Sequence, residues 1–173
     1  ALQLIAKELS PTSGSIHNSA STYYVPQVVG QFEHKTVAEA LRIDKKLNAL
    51  YAILAGDASE ENFNRLQDDW ALEERCQEAF KQWDLPNIDL AQQMSSLSGG
   101  QKTKVLLAGI QIHRSELILL DEPSNHLDMD SRTQLYDWIQ SSKNTIVVVS
   151  HDRTLLNLLD DMAEMAPNGI KRY

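Results

Sequence analysis

Apolar positions recur at helical spacing from the start of the chain. Leu2, Ile5, Ala6 and Leu9 predict a helix over residues 1–9, which the turn-forming run SPTSG stops. GSIHN and STYYVPQ then read as short strands, because Ile16, Tyr23 and Val25 suit a pleated, half-buried surface and Pro26 ends the second run. Beyond residue 30 the pattern becomes wholly helical. Thr36 with Glu39 three residues on predicts a capping box, and Val37, Ala40, Leu41, Leu47, Leu50, Tyr51 and Leu54 stripe one face until GDAS breaks it. A second helical stretch carries Phe63, Leu66 and Trp70. A third carries Leu72, Cys76, Phe80 and Trp83 before DLPNID closes it.

From residue 97 helix and strand alternate. GGQKTKVLLAGIQIH is helical, ELILL is a continuous apolar run of buried-strand type, MDSRTQLYDWIQ is helical, NTIVVVS is a second buried strand, and DRTLLNLLDDM is helical again. Two apolar strands separated by a helix imply a parallel βαβ unit, so residues 1–30 and 97–173 are expected to build one α/β core. Residues 31–96 are then an all-helical lobe inserted into it, with 7 Lys plus Arg against 13 Asp plus Glu. Charge runs such as LEERCQE read as solvated helix faces.

Composition narrows the function classes. The chain has 173 residues, enough for one domain with a real core or for a domain plus a small lobe, and its net charge of −8 disfavours bulk electrostatic binding of nucleic acid. Direct nucleic-acid contact by residues 31–96 is therefore not expected. The lone cysteine, Cys76, sits at an apolar helix position and excludes disulfide frameworks and cysteine-based zinc sites. No apolar run approaches the roughly 18 residues of a membrane helix, and the start lacks the features of a signal peptide. A cytoplasmic location is expected.

Candidate chemistry gathers where strands end, because ligands of open α/β sheets bind outside the carboxyl ends of the strands. YYVPQ delivers Gln27, LILLDE delivers Asp121 and Glu122, and IVVVSH delivers Ser150 and His151. An acidic pair after four buried apolar residues needs a cation or strong donors, so Asp121 is a candidate Mg²⁺ ligand and Glu122 a candidate to orient or deprotonate water. The same pair could instead simply cap the turn that follows. His151 is a structural residue or a stabiliser of a transferred phosphoryl group, and Gln27 a metal ligand or water anchor. Ser98, Gly99 and Gly100 form a helix start whose amides suit a phosphate and whose glycines let it approach, although a serine there also serves as a plain N-cap.

LSGGQ at 97–101, LILLDEP at 117–123, SNHLD at 124–128 and VSHD at 149–152 stand in one order, and together they resemble the signature motif, Walker B strand, D-loop and switch histidine of the ATP-binding cassette (ABC) ATPases. YYVPQ resembles their Q-loop. EPSNHLD resembles the soluble subfamily F, and LQDDWALEERCQEAF the helical lobe of that subfamily's first cassette. The resemblance implies a P-loop NTPase-type α/β core with an inserted helical subdomain, and ATP with Mg²⁺ as cofactors. It gives Gln27 and Asp121 to the metal, Glu122 to the hydrolytic water and His151 to the γ-phosphate. Ser98, Gly99, Gly100 and Gln101 would contact ATP held by a second cassette, with Asp128 communicating across that interface. It further implies the ribosome as partner, in translation or in antibiotic resistance, and hydrolysis of ATP to ADP and phosphate.

One family motif has no match. None of the seven glycines precedes a lysine, so the phosphate loop GxxxxGK[ST] is missing, and the expectation is that it lies upstream of Ala1 and that this stretch alone binds ATP poorly. Two other readings remain at this stage: the nucleotide-binding subunit of a membrane transporter, and a truncated cassette that docks a partner without hydrolysis.

Overall fold

The computed structural model describes residues 1–166 and 169–173. They form two compact units, Ala1–Gln27 with Glu116–Tyr173, and Val28–Ser115.

The first unit is built on three parallel strands, β1 (Thr22–Val25), β2 (Leu117–Asp121) and β3 (Thr145–Val149), in the order β1-β2-β3. The register pairs Val25 with Leu120 and Asp121 with Val149, so all three strands end at one level. Because β2 is flanked on both sides, Ile118, Leu119 and Leu120 are fully buried, as the uninterrupted apolar run requires. Helix α1 (Leu2–Ile5) packs on β2. Helix α7 (Met129–Ser141), the crossover between β2 and β3, starts at Asp128, whose side chain accepts from the Ser131 amide at 2.8 Å. This is an ordinary aspartate N-cap.

Several sequence expectations change here. Residues 14–18 form no strand; Ile16 is exposed, and a β-branched residue without a neighbouring strand has nothing to pair with. The α1 helix stops at Ile5, short of Leu9. β3 is not buried throughout: among the described residues it pairs only with β2, and Val147 and Val149 are exposed. The final helical run is limited to α8 (Arg153–Leu156), since Asp160 and Asp161 place negative charge toward what would be a helix C-terminus. A hairpin of β4 (Ala163–Ala166) and β5 (Gly169–Arg172) follows, which the sequence pattern did not suggest.

The second unit is all helix, with α2 (Val37–Ala40), α3 (Asp44–Leu54), α4 (Glu60–Leu66), α5 (Leu72–Gln82) and α6 (Gly99–His113). The expected capping box is present at α2, with Thr36 Oγ1 accepting from the Glu39 amide and Glu39 accepting from the Thr36 amide. The single stripe read over residues 37–54 is broken at Arg42, whose φ of +59° ends α2, and its last member, Leu54, is exposed. Helix α3 pairs with α4 over a small cluster of Ala49, Leu50 and Leu66.

From Val105 to Ile112 helix α6 is apolar apart from Gln111 and is buried nearly all round, the mark of a helix enclosed by its neighbours. It packs on α5, which contributes buried Cys76, Ala79 and Phe80, and Trp83 follows at the helix end. Arg75 of α5 also donates from Nε to the Ile112 carbonyl at 2.9 Å. Residues 97–115 thus lie in the helical unit, where sequence alternation grouped them with the strands. The reason is apolar area: α6 shares its buried face with α5.

Candidate functional site

The parallel register brings Gln27, Asp121, Glu122, Ser150 and His151 to the carboxyl edge of the three strands. Gln27 lies two residues beyond Val25, and Glu122 two beyond Leu120, its partner residue. Gln27 is exposed.

Asp121, the last residue of β2, accepts a hydrogen bond through Oδ2 from Tyr24 Oη at 3.1 Å. Burial, and then the Asp121 charge, push the Tyr24 phenol well above its ordinary range, so it stays protonated and remains a donor. Its second oxygen is left at the strand edge. One carboxylate oxygen and a neighbouring exposed amide suit Mg²⁺, which takes one or two protein oxygens and fills its octahedron with water and substrate phosphate. Among the described residues no group of three or more His, Cys, Asp or Glu could hold a metal.

Glu122 is buried, and three groups surround its side-chain oxygens. Ser150 Oγ donates to Oε2 at 3.3 Å, the His151 amide donates to the same oxygen at 3.3 Å, and His151 Nε2 lies 3.6 Å from Oε1. The main chain of Glu122 donates to the Val149 carbonyl at 2.7 Å and adopts a left-handed φ of +49°. That conformation costs a non-glycine residue about 1–2 kcal/mol, and strain of this kind concentrates at functional sites. The His151 ring is almost fully exposed while its partner carboxylate is not, so the imidazole reaches between Glu122 and solvent.

Behind this edge Ser150 Oγ accepts from the Asp152 amide at 3.0 Å, and the Asp152 carboxylate accepts from Tyr136 Oη of α7. Burial alone would raise the Asp152 carboxyl, yet hydrogen bonds from Tyr136, Leu155, Ser124 and Thr154 outweigh it and hold it below the ordinary carboxylate value. Tyr24, Ser124, Tyr136 and Asp152 were not singled out from sequence. The alternation in YYVP, which puts Tyr24 on one face and the buried Tyr23 and Val25 on the other, is the one signal that could have found the first of them.

Ser98, Gly99, Gly100 and Gln101 lie in the helical unit, at the start of α6. Ser98 Oγ accepts from the Gln101 amide at 3.2 Å, and Gln101 Oε1 accepts from the Ser98 amide at 2.9 Å. The two side chains form a capping box, with Ser98 as the N-cap and Gln101 at the third helical position. The first-turn amides of Gly99 and Gly100 are the ones such a box leaves over. One turn on, Lys102 is buried and pairs with Glu33 at 3.1 Å.

The family described as ABC transporter matches residues 1–125. The ABC transporter ATP-binding protein YfmM of Bacillus subtilis is 26% identical over 90% of this chain and 34% of its own length. The tylosin resistance ATP-binding protein TlrC of Streptomyces fradiae is 27% identical over 99% of this chain and 36% of its own. This chain therefore spans about a third of the length of these relatives. Among solved structures, an archaeal ribosome recycling factor, aABCE1, in complex with the ribosomal stalk protein aP1, superposes with a TM-score of 0.62 at 23% identity, covering 97% of this chain and 30% of that one. At that identity the likeness speaks to fold alone. With a family match over residues 1–125 and a parallel sheet that gathers Gln27, Asp121, Glu122 and His151 at one edge, the chain belongs to the ABC transporter family of ATP-binding cassettes.

Proposed function

We propose that this chain is the hydrolytic part of a cassette in a subfamily F protein, acting on the ribosome. The observation that carries the hydrolytic reading is the buried Glu122 carboxylate, held by Ser150 Oγ and the His151 amide on one oxygen and approached by the His151 ring at the other.

In this reading Glu122 Oε1 orients the attacking water and takes its proton, because Oε2 is already occupied by two donors. The exposed His151 ring donates to the γ-phosphate as charge builds on it. Asp121, fixed by Tyr24, and Gln27 hold Mg²⁺, which when bound draws charge from the phosphate oxygens. Ser98, Gly99, Gly100 and Gln101 meet the nucleotide of a second cassette, Gly99 and Gly100 through the first-turn amides that the capping box leaves over, and Asp128 carries the signal between cassettes. The strand-bearing unit, Ala1–Gln27 with Glu116–Tyr173, is the ATPase core of this reading, and the helical unit Val28–Ser115, which carries α6, is its inserted lobe. The ribosomal assignment rests on the run EPSNHLD, supported by likeness to a tylosin resistance protein.

Glu122→Gln in the protein that carries this chain tests both parts. The variant is expected to bind ATP, to lose hydrolysis, and to co-sediment with ribosomes only when ATP is present. Unchanged turnover would remove Glu122 from its role. ATP-dependent arrest without ribosome association would leave the ATPase and overturn the partner.

A further inference from the structure

The turn that opens α6 has little packing of its own. Between Ser95 and Gln101 only Leu97 is buried, and the two adjacent glycines offer no side chain that could anchor them. Both ends of the turn are nevertheless tied, and to residues that lie two apart in the chain. Ahead of it, the Met94 amide donates to the Lys35 carbonyl at 2.9 Å, beside an antiparallel bridge between Thr36 and Gln93. Behind it, Lys102 Nζ donates to Glu33 Oε1 at 3.1 Å. One short stretch, Glu33 to Lys35, thus holds the turn from either side.

That stretch is itself fixed in the core of the helical unit. Val29–Phe32 forms a short 3₁₀ helix that packs on α6, with Val29 and Phe32 buried, and the Glu33 amide donates to the Gly30 carbonyl at 3.2 Å to close it. The main chain of Glu33 is therefore held in place although its side chain is 51% exposed. Lys102 is the unusual member, because its side chain is only 10% exposed. Enclosing an ammonium is costly, and a pair whose other member stands half in water repays little, so on stability alone a methionine at 102 serves as well. What the ion pair adds is a fixed direction and a fixed distance to one carboxylate oxygen.

We propose that Glu33 and Lys102 are positioning residues, whose ion pair, with the bond from Met94 to Lys35, sets where the Ser98–Gln101 turn stands against a nucleotide. The inference rests on the reading of that turn as the part that meets the nucleotide of a second cassette, and it names what holds the turn in register. The Gly99 and Gly100 amides that face a phosphate oxygen lose their hydrogen bonds steeply as distance and angle depart from ideal. A shift of about an ångström at the turn is enough to misplace them, even with the capping box of Ser98 and Gln101 intact. Neither Glu33 nor Lys102 touches the nucleotide; both act through the turn between the two ties.

Glu33→Gln, Lys102→Met and the double variant, made in the protein that carries this chain, test it with two readouts. The first is hydrogen exchange without ATP. Glu33→Gln leaves the turn's own sequence untouched, 69 positions from Lys102, yet is expected to speed exchange of the Gln101 amide about tenfold while the Ala79 amide of α5 keeps its parental rate. The second is ATP hydrolysis. Each single variant is expected to lower kcat about tenfold and to leave the half-saturating ATP concentration within about twofold, since the turn meets a nucleotide that the facing cassette already holds. The double variant is expected to lose no more than the worse single, as two groups acting through one bond do. If Glu33→Gln fails to fold, Lys102→Met, which leaves no enclosed charge behind, carries both readouts. Parental exchange at Gln101 overturns the proposal, as do a parental kcat with only a lower thermal midpoint, or losses that multiply in the double variant. Glu122→Gln run alongside separates the two readings: parental turnover there removes the ATPase reading while exchange still decides the tie, and arrested turnover there with parental kcat in Lys102→Met removes the positioning role alone.

Discussion

Tyr24 and Asp121, 97 positions apart in sequence, are joined by a 3.1 Å hydrogen bond that ties β1 to the end of β2. The phenol donates and the carboxylate accepts, so one Asp121 oxygen is fixed before any ligand arrives. Tyr24→Phe deletes the donor with little change in shape. The expected result is a loss of about 1 kcal/mol in urea unfolding. A rise of about tenfold in the Mg²⁺ concentration needed for half-maximal hydrolysis accompanies it, since groups that hold a ligating carboxylate tune metal affinity by that order. An unchanged Mg²⁺ requirement would reduce the bond to a strand fastener.

His151 separates activity from stability. Its ring is almost fully exposed, while its amide is what holds Glu122. His151→Ala keeps that amide, so unfolding free energy is expected to stay within about 0.5 kcal/mol of the parent. Hydrolysis is expected to fall about 100-fold, the loss typical of one proton-handling or donor group. Turnover at the parental rate would contradict the role assigned to the ring.

Tyr136 and Asp152 give the fold a response at both ends of the pH scale. Burial, then the Asp152 contact, push the Tyr136 phenol up to about 12 from a value near 10. Its contribution to stability is thus complete below about pH 10 and fades as pH rises toward 12. Asp152 shifts the other way, so its contribution is present above the ordinary carboxylate value and disappears on acidification. Urea midpoints measured across pH are expected to drop at both limbs, with Tyr136→Phe removing the alkaline drop and shrinking the acid one. A Phe variant with an intact alkaline limb would show that another group is responsible.

Cys76 is expected to be inert in the folded chain. It is completely buried on the α5 face that meets α6, and burial pushes its thiol up to about 12. Thiol titration with a maleimide should give no adduct under native conditions and one per chain in denaturant. Rapid native labelling would mean that α5 and α6 part readily. Cys76→Ser should cost about 1–3 kcal/mol, because a hydroxyl would be buried there.

The strand ends were legible in the sequence for a simple reason: a buried apolar run that stops at charged residues marks both a strand and the edge where its chemistry emerges. Asp121 and Glu122 follow from that rule, whereas His151 ends an apolar run whose alternate residues prove exposed. The supports of these residues do not follow from it. Tyr24, Asp152 and Tyr136 act through contacts between elements apart in the chain, and only the alternation in YYVP hints at the first of them. Ile16 shows the opposite failure, a residue with strand preference and no neighbour to pair with. The break at Arg42 was invisible because apolar spacing continues across it and only the φ of +59° interrupts the helix.

β3 has a practical consequence for handling. Thr145, Val147 and Val149 are exposed on a β-branched strand that, among the described residues, is laddered to β2 alone. Such a free margin is a template on which another molecule can continue the ladder. Purified at high concentration by itself, this polypeptide should cluster reversibly and lose solubility as it is concentrated, and a lysine at Val147 should act as a gatekeeper that keeps it dispersed.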